Sequence, residues 1–148
     1  MLQLATGVTV CSVPTENISQ AWPIVQPQVA RALAQGLGEY DLVDVWTALL
    51  RGDAQLWLAT GEDKAIIGVA VTEVVDYPRR KLCNLWIIAG TGLEQWKEGL
   101  QHIESWAVSR GCSGLLATCR PGLVKVAMRQ GFRVERQLVF KPLLQNLS

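Results

Sequence analysis

Hydrophobic positions along this chain change their spacing twice, and those changes divide it into elements. Ile18, Trp22, Val25, Val29, Ala32 and Leu33 recur three and four residues apart, which is the spacing of an amphipathic helix. Residues 15–19 supply capping side chains before it. Pro23 suits its first turn, Pro27 should kink or restart it, and Gly36 and Gly38 end it. A shorter helix follows, with Leu42, Val45, Trp46, Leu49 and Leu50 on one face and Arg51-Gly52-Asp53 at its end. Ahead of both, residues 7–13 alternate weakly and read as a first strand.

The middle of the chain moves to a period of two. Residues 54–60, 65–77 and 81–89 are rich in β-branched and aromatic side chains, as strands are. Gly61-Glu62-Asp63-Lys64 and Tyr77-Pro78-Arg79-Arg80 join them, which predicts an antiparallel meander. In the longest of the three, Val71, Glu73, Val75 and Tyr77 share one face, so Glu73 is a carboxylate among apolar neighbours. Helical spacing then returns. Gly90-Thr91-Gly92 leads into a helix over 92–111, with Leu93, Trp96, Leu100, Ile103, Trp106 and Ala107 on one stripe and polar residues opposite. A short strand over 113–119 follows, then a helix over 123–130 closed by Gly131. The last segment, 132–143, reads as an alternating strand with Phe132, Val134, Leu138 and Phe140 on one side and Arg136 interrupting them.

The predicted order is β-α-α-β-β-β-α-β-α-β. Strand 81–89, a helix and strand 113–119 form a right-handed crossover that makes those two strands parallel. The expected fold class is α/β: a mixed, mostly antiparallel sheet with one parallel pair and helices on both faces. At 148 residues the chain reads as one domain, 1–148, able to bury a core without disulfides or metal.

Composition adds limits. Fourteen basic and thirteen acidic residues leave a net charge of +1, which argues against a dedicated nucleic-acid binder. No apolar run approaches the length of a membrane-spanning helix, and the first residues do not resemble a signal peptide. The expected location is therefore cytoplasmic, with Cys11, Cys83, Cys112 and Cys119 as free thiols. His102, Cys112 and Cys119 match no standard zinc spacing, so no metal is expected. Six Trp stand against two Tyr and two Phe. Either the core is rich in indole, or residues such as Trp22, Trp46 and Trp96 face a partner.

Two stretches of the C-terminal half carry a family resemblance. Trp106-Ala107-Val108-Ser109-Arg110-Gly111-Cys112 looks like the end of the central helix and the start of the next strand in the GNAT superfamily of N-acetyltransferases. Val126-Ala127-Met128-Arg129-Gln130-Gly131-Phe132 looks like that family's closing helix with its Gly-Phe ending. Together with the element order, the resemblance covers nearly the whole chain. More narrowly, the chain is similar to small acetyltransferase-like proteins of tailed bacteriophages and prophages. The matching features are the Trp-rich first helix, Gln55-Leu56-Trp57-Leu58-Ala59, Val71-Thr72-Glu73, and Arg120-Pro121-Gly122-Leu123, where Leu123 replaces a Trp.

The resemblance implies transfer of an acyl group from acetyl-CoA to an amine, in the host cytoplasm or a virion. It also implies a pyrophosphate cradle ahead of the central helix. Ile87-Ile88-Ala89-Gly90-Thr91-Gly92 supplies both glycines of the family's loop, but Ile87 stands where the family has Gln or Arg. The alternative for this stretch is a strand-to-helix turn that needs glycine for its backbone angles. The family's proton-donating Tyr, four residues before the closing Gly, falls on Ala127. Cys119 is then the substitute acid, or a packing residue. Glu73 and Asp76 are the candidates for a general base, and a Glu73 facing the cleft would have its pKa raised by desolvation. His102 reads as surface. Arg79, Arg80 and Lys81, with Arg129, Arg133 and Arg136, would meet CoA phosphates, a nucleic acid or, most simply, solvent. A competing reading keeps the fold without catalysis: a virion component or binder of a phage or host protein, working through exposed Trp.

Overall fold

The period-two stretches build the frame on which the rest is mounted. The computed structural model describes residues 7–91, 96–119 and 121–145. It divides into two compact units, Met1–Thr118 and Cys119–Ser148. In the first unit, five strands form one sheet in the order β1 (Thr9–Val13), β2 (Ala54–Thr60), β3 (Ile66–Asp76), β4 (Lys81–Gly90) and β5 (Leu115–Ala117). The first four are antiparallel, and β5 runs parallel to β4. Helix α3 (Lys97–Ser109) lies between those last two in sequence. It returns the chain to the end from which β4 started, which a parallel neighbour requires.

Alternation decides what each face carries. Val13, Leu56, Val69, Val71 and Ile87 point to one side, where they pack with Ile18, Val25 and Val29 of α1 (Ile18–Leu33) and Val45 and Leu49 of α2 (Leu42–Arg51). Asp41 and Asp44 start α2 as a reciprocal capping pair, the Asp44 carboxylate accepting the Asp41 N–H at 2.8 Å. Gly52 ends the helix at φ 78°, a conformation that suits glycine. On the opposite side α3 packs against β1, and Gly99 lies so close to Val10 that a methyl group there would overlap it. The Trp106 ring meets Trp57 edge-on at 5.8 Å, and the Trp57 indole donates to the buried Thr72 hydroxyl at 3.0 Å. The fold class predicted from the sequence is the one observed, with helices on both faces.

Three elements differ from expectation. Helix α1 runs unbroken through Pro23 and Pro27. Both prolines are solvent-exposed, so water can satisfy the carbonyls they leave without an N–H, while burial of Ile18, Val25 and Val29 holds the helix together. Helix α3 begins at Lys97 rather than at residue 92; Gly92 and Leu93 lie outside the described residues. The final strand expected over 132–143 does not form. In the second unit, α4 (Pro121–Arg129) ends in a turn with Gly131 at φ 95°, and the chain beyond it has no ladder, with Val134, Leu138, Val139 and Phe140 exposed. Alternation prepares a segment for a sheet, but a strand also needs a partner for its backbone groups.

Candidate functional site

Strand β4 runs past the end of its pairing with β5. Val71 of β3 faces Ile87 of β4, yet its neighbour Thr72 faces Leu85. Trp86 is therefore an extra residue, a β-bulge that bends the strand and re-aims its side chains. Pairing with β5 covers only Cys83, Asn84 and Leu85. From Trp86 to Gly90 the strand continues with no β5 residue opposite. The Thr91 N–H donates to Ile67 O at 3.0 Å. By antiparallel alternation the amides of Ala89 and Ile87 also turn toward β3, and those of Ile88 and Gly90 turn outward.

Beside this edge, on the α2 side of the sheet, lies a groove of about 400 Å³ lined by Glu39, Tyr40, Asp44, Thr47, Ala48, Arg51, Asp53 and Trp86. Tyr40 stands edge-on to Trp86, ring centres 4.9 Å apart. Glu39 Oε1 accepts the Leu37 N–H at 2.7 Å within the loop between α1 and α2. The Trp86 indole N–H is buried with no hydrogen-bond partner. Glu73 sits in the same neighbourhood. It is half-buried, and its Oε1 accepts from Asn84 Nδ2 at 3.0 Å. Its partners across the sheet are Ala54 and Asn84; the first follows Asp53 of the groove, and the second lies two residues before Trp86. A larger depression of about 600 Å³ runs along the outward side of α3, lined by Lys97, Glu98, Gln101, His102 and Ser105.

The residues singled out from sequence fall in different places. Ile87, Ile88, Ala89 and Gly90 belong to β4 rather than to a loop ahead of a helix, because two β-branched residues paired with Val71 and Ala70 favour the strand. Thr91 closes the ladder, and Gly92 lies outside the described residues. Asp76 is exposed at the far end of β3, 3.9 Å from Lys81. His102 is exposed on α3. Cys119 belongs to the second unit, half-buried, with burial pushing its thiol pKa up so that it keeps its proton. None of the six indoles is exposed: Trp57 and Trp96 are buried and the other four half-buried. Of the two readings of the indoles, burial favours the core over full display of Trp22, Trp46 and Trp96. Trp22 and Trp46 pack on each other at 5.2 Å, and Trp96 covers Gly68. Among the described residues no group of three His, Cys, Asp or Glu side chains converges as a metal site would.

Sequence reasoning missed the groove. Its aromatic corner joins a loop residue, Tyr40, to a bulge residue, Trp86, 46 positions apart in the numbering. A bulge leaves no periodic signal, since its extra residue reads as one more apolar position. The available clue was Tyr40 itself, one of two tyrosines, set beside Glu39 and Asp41 in a glycine-bounded turn.

No protein-family model and no curated protein matches the sequence. Solved structures do match the fold. A structure described as a probable acetyltransferase aligns with TM-score 0.67 at 13% identity, over 93% of this chain and 99% of its own. An aminoglycoside acetyltransferase from an uncultured soil sample, solved with trehalose, aligns with TM-score 0.67 at 12% identity, over 97% and 100%. Glucosamine-6-phosphate N-acetyltransferase from Arabidopsis thaliana aligns with TM-score 0.63 at 11% identity, over 91% and 97%. The chain therefore has a GNAT-like fold, shared with these solved structures over nearly its whole length. No helix among the described residues is long and apolar enough to cross a membrane.

Proposed function

We propose that the protein is an acyl-CoA-dependent N-acetyltransferase of the phage type that its sequence resembles. The observation that carries this reading is the β4 edge. The parallel pair ends at Leu85 and Ala117 while β4 runs on to Gly90, leaving the outward amides of Ile88 and Gly90 for a ligand lying along the strand. That arrangement fits the amide-containing arm of acetyl-CoA, which when bound supplies an activated acetyl group. An outward amide N–H aimed at a carbonyl oxygen stabilises the negative charge that develops there. The α3 N-terminus also leaves its first N–H groups without helical partners, which favours an anion.

Glu73 is the base in this reading. Its carboxylate is held by Asn84 and lies on the groove side of the sheet, where it can take the proton that an ammonium must lose before its nitrogen attacks. The new bond is C–N, the broken bond is C–S, and CoA leaves as the thiol once protonated. Much of the rate would come from holding amine and thioester together. The solved acetyltransferases of this fold support the same chemistry.

The test is a melting curve with acetyl-CoA. A ligand at 100 times its Kd stabilises the folded state by about 2.7 kcal/mol, a rise of several degrees for a chain this size. Glu73→Gln should keep that rise and lose acetyl transfer to amines, read as thiol release. An unchanged melting temperature at millimolar acetyl-CoA would overturn the proposal.

A further inference from the structure

Two parts of this chain carry backbone that no strand pairs among the described residues, and they complement each other. The first is the outer edge of β5. It is the last strand of the sheet, and its pairing to β4 through Leu115, Leu116 and Ala117 uses one edge. Half of a strand's N–H and C=O groups turn to each side. The other edge of β5 is therefore of the kind that templates a further strand.

The second part is the segment 132–143, which forms no ladder. Locally it fits an extended chain. Arg133 donates to Glu135 Oε1 through Nη2 at 2.8 Å and through Nε at 2.9 Å. Side chains two residues apart share a side of a strand and do not face each other on a helix. This ion pair marks one side of the segment, and Phe132 and Val134 fall on the other, followed by Leu138 and Phe140. Val134, Leu138 and Phe140 are 56%, 71% and 68% exposed. A row of apolar side chains left in water beside unpaired backbone is the mark of a contact surface.

We propose that segment 132–143 adds as a strand to the outer β5 edge of a second copy of this chain, which returns its own segment in exchange. A twofold axis makes the exchange reciprocal and closes it. Main-chain hydrogen bonds supply the adhesion, and the alternating side chains set the register. A peptide of another protein on the β5 edge would leave the segment in water. A foreign groove holding the segment would leave the β5 edge unpaired. A second copy satisfies both at once. This inference does not depend on the transferase reading.

The test is sedimentation equilibrium of the full chain, with hydrogen exchange measured on the same sample. A dimer is expected, with amides in 133–140 protected. Leu138→Pro and Val139→Pro each remove one N–H. Alternation turns one of two adjacent amides toward the partner whatever the register, so one of these variants should weaken the dimer at least tenfold. Phe140→Asp keeps every N–H but puts a carboxylate into the apolar row, and should also weaken it. All six indoles lie in the first unit, so unchanged native emission verifies the fold of each variant. A monomer overturns the proposal: with protected amides the segment pairs within its own chain, and with unprotected ones it pairs with nothing. A dimer whose 133–140 amides exchange freely, or that none of the three variants weakens, is held elsewhere and equally overturns it. A dimer weakened by Phe140→Asp alone is an apolar contact without a ladder, and overturns strand addition.

Discussion

Cys83 is fully buried on the α3 side of β4, next to the Thr72 hydroxyl. Burial, helped by the neighbouring Cys112 and Glu73, pushes its thiol from an ordinary 9.0 to about 12. The folded chain thus holds this proton more tightly than the unfolded chain does. Its contribution to stability is complete below pH 9 and is lost as the pH rises toward 12, by about 1.4 kcal/mol per pH unit across that window. Urea midpoints measured between pH 8 and 11 should fall more steeply for the native chain than for Cys83→Ala. Parallel curves would mean that the sulfur is reached by water. The sequence showed Cys83 only as a free thiol; the groups beside it, Thr72 on the paired strand and Cys112 beyond α3, are brought there by the fold.

At the scale of elements, α1 shows why periodicity outranked the proline signal. Pro27 cannot donate to the Pro23 carbonyl, and Pro23 cannot donate to that of Ser19. All three residues are exposed, so both gaps lie on the wet side while Val25 and Val29 remain buried. Pro27→Ala should restore one helical bond. The helix gains about 3 kcal/mol in propensity and loses up to about 1 kcal/mol because the unfolded chain becomes freer. A net stabilisation of about 2 kcal/mol in urea unfolding is expected, and a destabilised variant would contradict this account. The meander was legible almost to the residue because turn residues and β-branched runs mark it locally. The strand expected over 132–143 failed for the opposite reason: its alternation was legible, but whether a neighbour exists to pair with it is a tertiary matter. The start of α3 was misplaced because glycines at 90 and 92 read as a helix entry, whereas Gly90 at φ 127° still belongs to β4.

For the whole molecule, the six indoles were the ambiguous feature of the composition: core, or contact surface. All lie between residues 22 and 106, within the first unit, and they sit on both sides of its sheet. Trp22, Trp46 and Trp86 pack against the α1–α2 core, while Trp106 belongs to α3, Trp96 precedes its first turn and Trp57 meets the Trp106 ring. Fluorescence therefore reports on both halves of that unit at once, with no signal from residues 119–148. Since no indole is exposed, iodide should quench the native protein several-fold less than the urea-unfolded chain. The emission should move to the red in a single transition if the two layers share one cooperative core, as a sheet packed on both faces requires. Native quenching close to the unfolded value would mean that an indole faces solvent, and would favour the contact-surface reading over the core. Two separate red shifts would mean that the α1–α2 layer and the α3 layer unfold independently. The β4 edge, against which α1 packs, would then belong to one layer alone and lose the rigidity that positioning an amine against a thioester demands.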